Sequence, residues 1–221
     1  MPEVYDCQDT ATLLPGFRAA KAAIGQGELV VFPTDTVYGI AADAFNPAAV
    51  NRLIVAKGRT RQSPPPVLIG STAALMALAA EVSEAVMQLV EAFWPGPLTL
   101  VMLAQPSLSW DLGETRGTVA LRMPNHQIAL ELLQDTGPLA VSSANLHGLA
   151  AATDVAGAQK MLHDSVQVYL DGGPVSGDGT ASTILDVTRL SGPDGIIRVL
   201  RAGVISKEQL AAVLPDATIE E

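Results

Sequence analysis

Apolar positions recur at helical spacing from about Thr10 to Ile24 and stop at Gly25 and Gly27, which predicts a helix closed by glycine. A short apolar run, Leu29 to Phe32, then reads as a buried strand ended by Pro33. The same reading predicts helices over Pro47 to Ala56, Thr72 to Ala80, Ser83 to Phe93, His126 to Gln134 and Val155 to Leu162. Strand-like runs fall at Val67 to Ile69, Leu98 to Leu103, Thr118 to Arg122, Leu139 to Val141, Val166 to Leu170, Thr183 to Asp186 and Ile196 to Leu200. A last helix, Lys207 to Val213, has Ser206 and Gln209 in the positions of a capping box. Helices and strands alternate, and some neighbouring strands are joined too closely for parallel crossovers. The expected fold is therefore α/β: a single-domain, open, twisted, mixed sheet with helices on its faces. The domain is expected to span residues 1–214, followed by a frayed C-terminal tail, 215–221. The glycine-rich stretch Asp171 to Thr180 is expected to be a mobile loop.

Composition adds exclusions. With 48% hydrophobic and 16% charged residues in 221, the chain has enough apolar surface to fold as one globular domain. The uncharged stretches Ser63 to Ala80 and Ala92 to Trp110 are broken by prolines, which makes membrane spanning implausible. Glu3 and Asp6 stand where a signal peptide would carry positive charge, so a cytoplasmic location is expected. Cys7 is the single cysteine, and His126, His147 and His163 are scattered, so no structural metal is expected. The net charge of −10 opposes general attraction to nucleic acid backbones and anionic membranes. The cations nevertheless cluster: Lys57, Arg59 and Arg61 lie together, and Arg116, Arg122, Arg198 and Arg201 sit near predicted strand ends. That distribution suggests a local anion pocket.

Neither a GxxxxGK[ST] loop nor a GxGxxG turn opening a helix occurs. Four other segments at element ends are rich in polar and basic residues, where ligands of open α/β sheets collect. Pro33-Thr34-Asp35-Thr36-Val37-Tyr38-Gly39 fits a turn, and fits equally a pair of residues, Thr34 and Asp35, that hold a polar substrate. Lys57-Gly58-Arg59 suits a helix C-terminus, whose dipole favours cations, and suits a site that stabilises a transferring phosphoryl or nucleotidyl group. In Thr118 to Pro124, alternation places Thr118, Ala120 and Arg122 on one strand face, with Arg122 either an ordinary surface cation or a fork for a carboxylate. Pro138 to Asn145 ends in Ser142, Ser143 and Asn145, which fit a turn or donors to ligand oxygens.

Taken in order, these segments resemble the YrdC-like family of L-threonylcarbamoyladenylate synthases. The resemblance rests on PTDTVYG, the Lys57-x-Arg59 pair, Trp94-Pro95-Gly96-Pro97-Leu98-Thr99, the Thr118-x-x-x-Arg122-x-Pro124 strand, Ser143-Ala144-Asn145, Ser182 to Asp186 and Arg201-Ala202-Gly203, and it runs from about Leu13 to Leu214. It implies a mixed α/β sheet around a basic groove for ATP and threonine. Lys57 and Arg59 are implied as catalytic, and Lys57, Arg59, Thr118, Ser143, Asn145 and Arg201 as contacts to ATP. Thr34, Arg122 and Ser182 are implied as contacts to threonine, with no protein metal site. The implied substrates are L-threonine, bicarbonate and ATP, with magnesium held mainly by ATP phosphates. As a short-form member, the chain is expected to pass its product to separate threonylcarbamoyl-transferase proteins, with weak or transient contact to tRNA and none to membranes. One departure is visible: many relatives follow the Lys-x-Arg pair with a histidine-bearing strand, and Leu68 stands roughly where that histidine does. The rival readings are an RNA-binding or ribosome-assembly module, opposed by net acidity and an aromatic content of 4%, and a same-fold paralogue acting on another carbamoyl-adenylate.

Overall fold

A computed structural model describes residues 2–177, 179–191 and 195–220. In chain order the strands are β1 (Glu3–Asp6), β2 (Val30–Phe32), β3 (Gly39–Asp43), β4 (Val67–Leu68), β5 (Leu98–Leu103), β6 (Thr118–Arg122), β7 (Leu139–Ser143), β8 (Val168–Asp171), β9 (Thr183–Asp186), β10 (Ile196–Arg201) and β11 (Thr218–Glu220). The helices are α1 (Thr10–Gly25), α2 (Pro47–Ala56), α3 (Thr72–Leu78), α4 (Glu84–Phe93), α5 (Gln127–Thr136), α6 (Val155–Leu162) and α7 (Lys207–Val213). The strands form one mixed sheet in the order β1-β8-β2-β3-β7-β4-β6-β5-β9-β10-β11.

Both faces of the sheet are covered, because inner strands such as β2 are buried on both sides. In β2, Val31 packs into one core cluster while Val30 and Phe32 pack into the other, as two-residue alternation requires. Helices α1 and α5 supply Ala20, Ile24, Leu132 and Leu133 to one face. Helices α2, α3, α4, α6 and α7 cover the other, with Leu53, Leu75, Leu89, Ala158 and Leu210 among the buried contacts. Side chains in the sequence start the helices: Asp9 caps α1, Asn46 accepts from Ala48 N and Ala49 N ahead of α2, and the Ser206–Gln209 capping box opens α7. Among the described residues no helix is long and apolar enough to cross a membrane.

The end of α2 sets up the site. Gly58 takes φ +63, and the backbone N–H groups of Gly58 and Arg59 turn back to Val55 O at 2.9 Å and Ile54 O at 3.0 Å. This is a Schellman closure, which only glycine adopts without strain at that position. It reverses the chain so that Lys57 is buried in the protein and Arg59 lines the cavity described below.

Three strands escape the sequence pattern. In β3, Gly, Ala and Asp have weak strand propensity, so PTDTVYG reads as a plain turn when it is the loop of the β2–β3 antiparallel hairpin. β1 has only four residues and is partly exposed. The tail is not frayed over Thr218–Glu220: β11 pairs in parallel with β10, Ile196 opposite Thr218, and Ile219 packs on the core. The expected mobile loop is tied down in its first half. Tyr38 Oη donates to Gly173 O at 2.6 Å and accepts from Gly172 N at 3.1 Å, and Val175 N donates to Thr153 O at 2.8 Å. Asp178 in that stretch lies outside the described residues.

Gly203 shows how tightly the sheet end is built. A Cβ there would lie 2.4 Å from Ala181 O and 2.5 Å from Ser182 C and Thr183 N, all backbone atoms with no room to yield. Gly203→Ala is expected to destabilise the protein by about 1–3 kcal/mol, the range for overpacking a filled site, measured as a lower urea midpoint with unchanged slope.

Candidate active site

The ends of β2, β7, β9 and β10 and one face of β5 and β6 enclose a cavity of about 460 Å³, within the range of small-ligand sites. Its floor follows strand alternation: Thr99 and Val101 on β5, Thr118, Ala120 and Arg122 on β6, and Ile184 on β9 all face inward. The hairpin loop Thr34 to Tyr38 closes one end, the prolines Pro64, Pro65 and Pro66 form a rim, and Ser142 and Ser143 continue the wall from β7. Thr34, Arg59, Thr118, Arg122, Ser143, Ser182 and Arg201, all proposed from sequence, line this one cavity. Lys57 and Asn145, the other two, do not line it. They lie directly behind Ser143.

Three guanidinium groups converge here, against one carboxylate on the lining, Glu114. Burial presses the pKa of Arg59, Arg122 and Arg201 downward, and the charges of Arg122 and Arg59 add to that pressure on Arg201. Each arginine is held differently. Arg122 Nε donates to Gly96 O at 3.0 Å, Nη1 to Thr36 Oγ1 at 3.1 Å and Nη2 to Asp35 Oδ1 at 2.5 Å. With three of its five N–H bonds so used, one remains on each terminal nitrogen. Arg201 reaches the site through a β-bulge between Val199 and Arg201, which re-aims the strand end, and donates to Ser182 O at 2.9 Å and Ser182 Oγ at 2.8 Å. Arg59 Nε is buried with no hydrogen-bond partner among the described residues.

Hydroxyl groups fill in the polar wall. Thr34 Oγ1 donates to Val37 O at 2.6 Å and accepts from Thr36 N and Val37 N, fixing the hairpin loop. Ser182 Oγ lies 2.9 Å from Thr99 Oγ1. Leu68 pairs in register with Arg122 and lines the cavity, so the polar company of Arg122 comes from Thr36 and Asp35 and not from β4. Thr36, Thr99, Tyr38 and Glu114 are additions to the residues proposed from sequence. The two-residue period from Val101 would have found Thr99. Glu114 had no signal, being brought to the rim by Glu114 N donating to Arg61 O at 2.8 Å.

Lys57 is only 1% exposed. Its ammonium donates to Ser143 O, Asn145 O and, at 2.8 Å, Asn145 Oδ1. Burial, with the charge of Arg59, lowers its pKa from 10.5 to about 7. A fall of that size disfavours the charged form by about 5 kcal/mol. With its pKa at about 7 the group exchanges its proton around neutral pH, and in the charged form its three N–H bonds each have an acceptor.

The arrangement defines a class: an anion-binding cavity at the strand ends of an open mixed α/β sheet, built without a glycine-rich phosphate loop. Residues 22–203 match the profile of the Sua5/YciO/YrdC family, described as "Telomere recombination", and the chain belongs to that family. A Mycobacterium leprae protein provisionally named threonylcarbamoyl-AMP synthase is 50% identical over 214 residues, covering 97% of this chain and 94% of the relative. The Bacillus subtilis threonylcarbamoyl-AMP synthase is 39% identical over 90% of this chain and 57% of its own length. The crystal structure of Pyrococcus abyssi Sua5 complexed with L-threonine superposes with a TM-score of 0.84 at 35% identity, covering 92% of this chain and 58% of that one. The chain thus spans less than two thirds of the Bacillus and Pyrococcus proteins.

Cations without matching carboxylates should be stabilised by any polyanion that enters. Pyrophosphate is expected to raise the Tm, by a shift equivalent to about 2.7 kcal/mol at a hundred times its Kd, and Arg59→Gln or Arg201→Gln should remove most of that rise. The pH dependence has a definite sign. The folded pKa of Lys57 lies below the unfolded value of 10.5, so unfolding takes up a proton between the two and stability rises with pH across that window. Urea titrations of ligand-free protein from pH 7 to 10 should show this rise, and Lys57→Met should lack it.

Proposed function

We propose that the chain is an L-threonylcarbamoyladenylate synthase, forming threonylcarbamoyl-AMP and pyrophosphate from L-threonine, bicarbonate and ATP. The observation that carries this reading is the convergence of Arg59, Arg122 and Arg201 on one cavity with two chemically different ends. One end has a guanidinium with one free N–H on each terminal nitrogen, beside the threonine hydroxyls, and suits an amino acid carboxylate. The rest of the lining has Arg59, Thr118 and Ser143, joined by Arg201, on which the charges of both Arg122 and Arg59 bear, and suits a phosphate chain. The names of the Mycobacterium and Bacillus relatives and the L-threonine bound to the Pyrococcus protein support it.

In this reading Arg122, with Thr34 and Ser182 nearby, orients threonine so that its amine faces the nucleotide. The amine takes up the carbon of bicarbonate with loss of water, giving a carbamate. A carbamate oxygen attacks the α-phosphorus of ATP, the bond to the β-phosphate oxygen breaks, and pyrophosphate leaves. Arg59 and Arg201 stabilise the charge that accumulates on the transferring and leaving oxygens. Magnesium fits as an ion carried in by the triphosphate, whose charge it would partly neutralise. Glu114 is the one carboxylate on the lining, and no cluster of three candidate ligands occurs among the described residues. The adenylate product suits delivery to a separate transferase acting on tRNA.

Mass spectrometry of a mixture of protein, ATP, bicarbonate and threonine should show threonylcarbamoyl-AMP, absent when serine replaces threonine or when no amino acid is added. Arg59→Ala is expected to lower kcat by about a hundredfold, as loss of a transition-state charge partner does. Arg122→Ala should instead raise the KM for threonine by about tenfold or more with a smaller effect on that for ATP. Equal turnover in both variants would mean that the two ends of the cavity are wrongly assigned.

A further inference from the structure

The sequence pattern gives Lys57 and Asn145 the role of ligand contacts, and their position requires another. Lys57 is among the largest fully buried side chains, and its head group meets three oxygens that match the three protons of an ammonium. Two of those oxygens belong to Asn145. The amide orientation of Asn145 follows from this contact, because the opposite one would set its NH2 against a cation. Its Nδ2 then donates to Leu146 O at 3.0 Å and Leu149 O at 2.6 Å. Lys57 O accepts from His147 N at 2.9 Å. Residues 143–149 therefore hang on two side chains. Ser143 and, further on, Ala151 present the outer surface of this segment to the cavity. Lys57 holds its inner surface.

For Lys57 to touch a ligand it would have to abandon three acceptors and pass through the wall that Ser143 forms. Each buried acceptor so abandoned loses about 1–3 kcal/mol. No carboxylate pairs with the ammonium. The charged group that bears on it is Arg59, from its own segment, and the other groups packed against it are the dipoles of Ser143 and Asn145.

We propose that Lys57 is a positioning residue that, as one unit with Asn145, fixes the 143–149 segment from behind and so sets Ser143 and the phosphate-facing wall, without itself contacting the nucleotide. This rests on the proposed function for the identity of the ligand. The lowered pKa of Lys57 adds a consequence. Loss of its proton leaves one of the three oxygens without a donor and loosens the wall, so kcat/KM for ATP falls on the alkaline side.

A double-mutant cycle tests the unit. Lys57→Met, Asn145→Ala and the double variant are compared in the full chain for ATP turnover and for pyrophosphate affinity by calorimetry. Each single change is expected to lower kcat/KM for ATP by about tenfold or more, with the KM for threonine within about twofold of wild type, and the double variant should be no worse than the worse single one. Losses that multiply in the double variant would mean that Lys57 and Asn145 act separately, and would overturn the proposal. Asn145→Asp provides a second route should Lys57→Met not fold. It keeps the acceptor oxygen and adds a carboxylate, which is expected to hold the ammonium protonated and move the alkaline limb up by about one pH unit or more. An unmoved limb counts against the proposal. Wild-type protein that makes no adenylate overturns the proposed function instead, and the pyrophosphate affinities still report the cycle.

Discussion

Positive charge buried beside a cavity, with almost no carboxylate to match it, is the constraint on which this structure turns. A buried ion normally survives by pairing, since its desolvation is otherwise too unfavourable. Among the described residues, Arg122 is the one cation of the site with such a partner, in Asp35. Arg201 is held by a carbonyl and a hydroxyl of Ser182, Lys57 by carbonyls and an amide, and Arg59 keeps a buried Nε that nothing among the described residues accepts from. Dipoles lower the cost of burying these charges without cancelling their field. The result is a local surplus of positive potential inside a molecule whose formal charge is −10.

The fold supplies those dipoles because of its strand order. Residues distant in sequence become neighbours: β7 lies between β3 and β4, and β5 between β6 and β9, so the ends of segments starting near residues 33, 57, 118, 142 and 182 meet at one place. Three local devices finish the job. The Schellman turn at Gly58 sends Lys57 and Arg59 to opposite sides of one wall, the bulge near Arg201 turns that side chain inward, and Gly203 lets the backbone of Ser182 approach closely. Each of these devices fixes a residue that lines or supports the cavity.

How much of this was legible in the sequence depended on whether a feature is local. Helices with caps and long apolar runs, such as α2 and β5, were readable because spacing and capping chemistry act within a few residues. β3 and β11 were not, since a Gly-Ala-Ala strand and a three-residue tail strand owe their pairing to neighbours far along the chain. The same limit applied to the site. The strand face of Thr118 and Arg122 was correctly placed by alternation, and the order of motifs brought seven proposed residues to one cavity. What sequence could not supply was depth: Lys57 and Ser143 differ in the side of the wall they occupy, and residue type does not encode that. Asp35 illustrates a related limit. It was nominated to hold substrate, and it holds Arg122 instead.

The pairing of Arg122 with Asp35 makes the cavity electrostatically uneven, and the unevenness has a chemical use. At the Arg122 end an internal carboxylate already satisfies part of the guanidinium, so an incoming carboxylate shares a fork and gains less from bare charge than from geometry. Arg59 and Arg201 have no acidic partner among the described residues, so a polyanion beside them relieves the repulsion that Arg122 and then Arg59 exert on Arg201. An amino acid, net neutral with one carboxylate, and a triphosphate, which carries several negative charges, differ in the same sense. Under the proposed function, that difference in compensation would sort an amino acid from a triphosphate by charge, and would set the uncompensated cations where negative charge increases as a phosphoanhydride bond breaks.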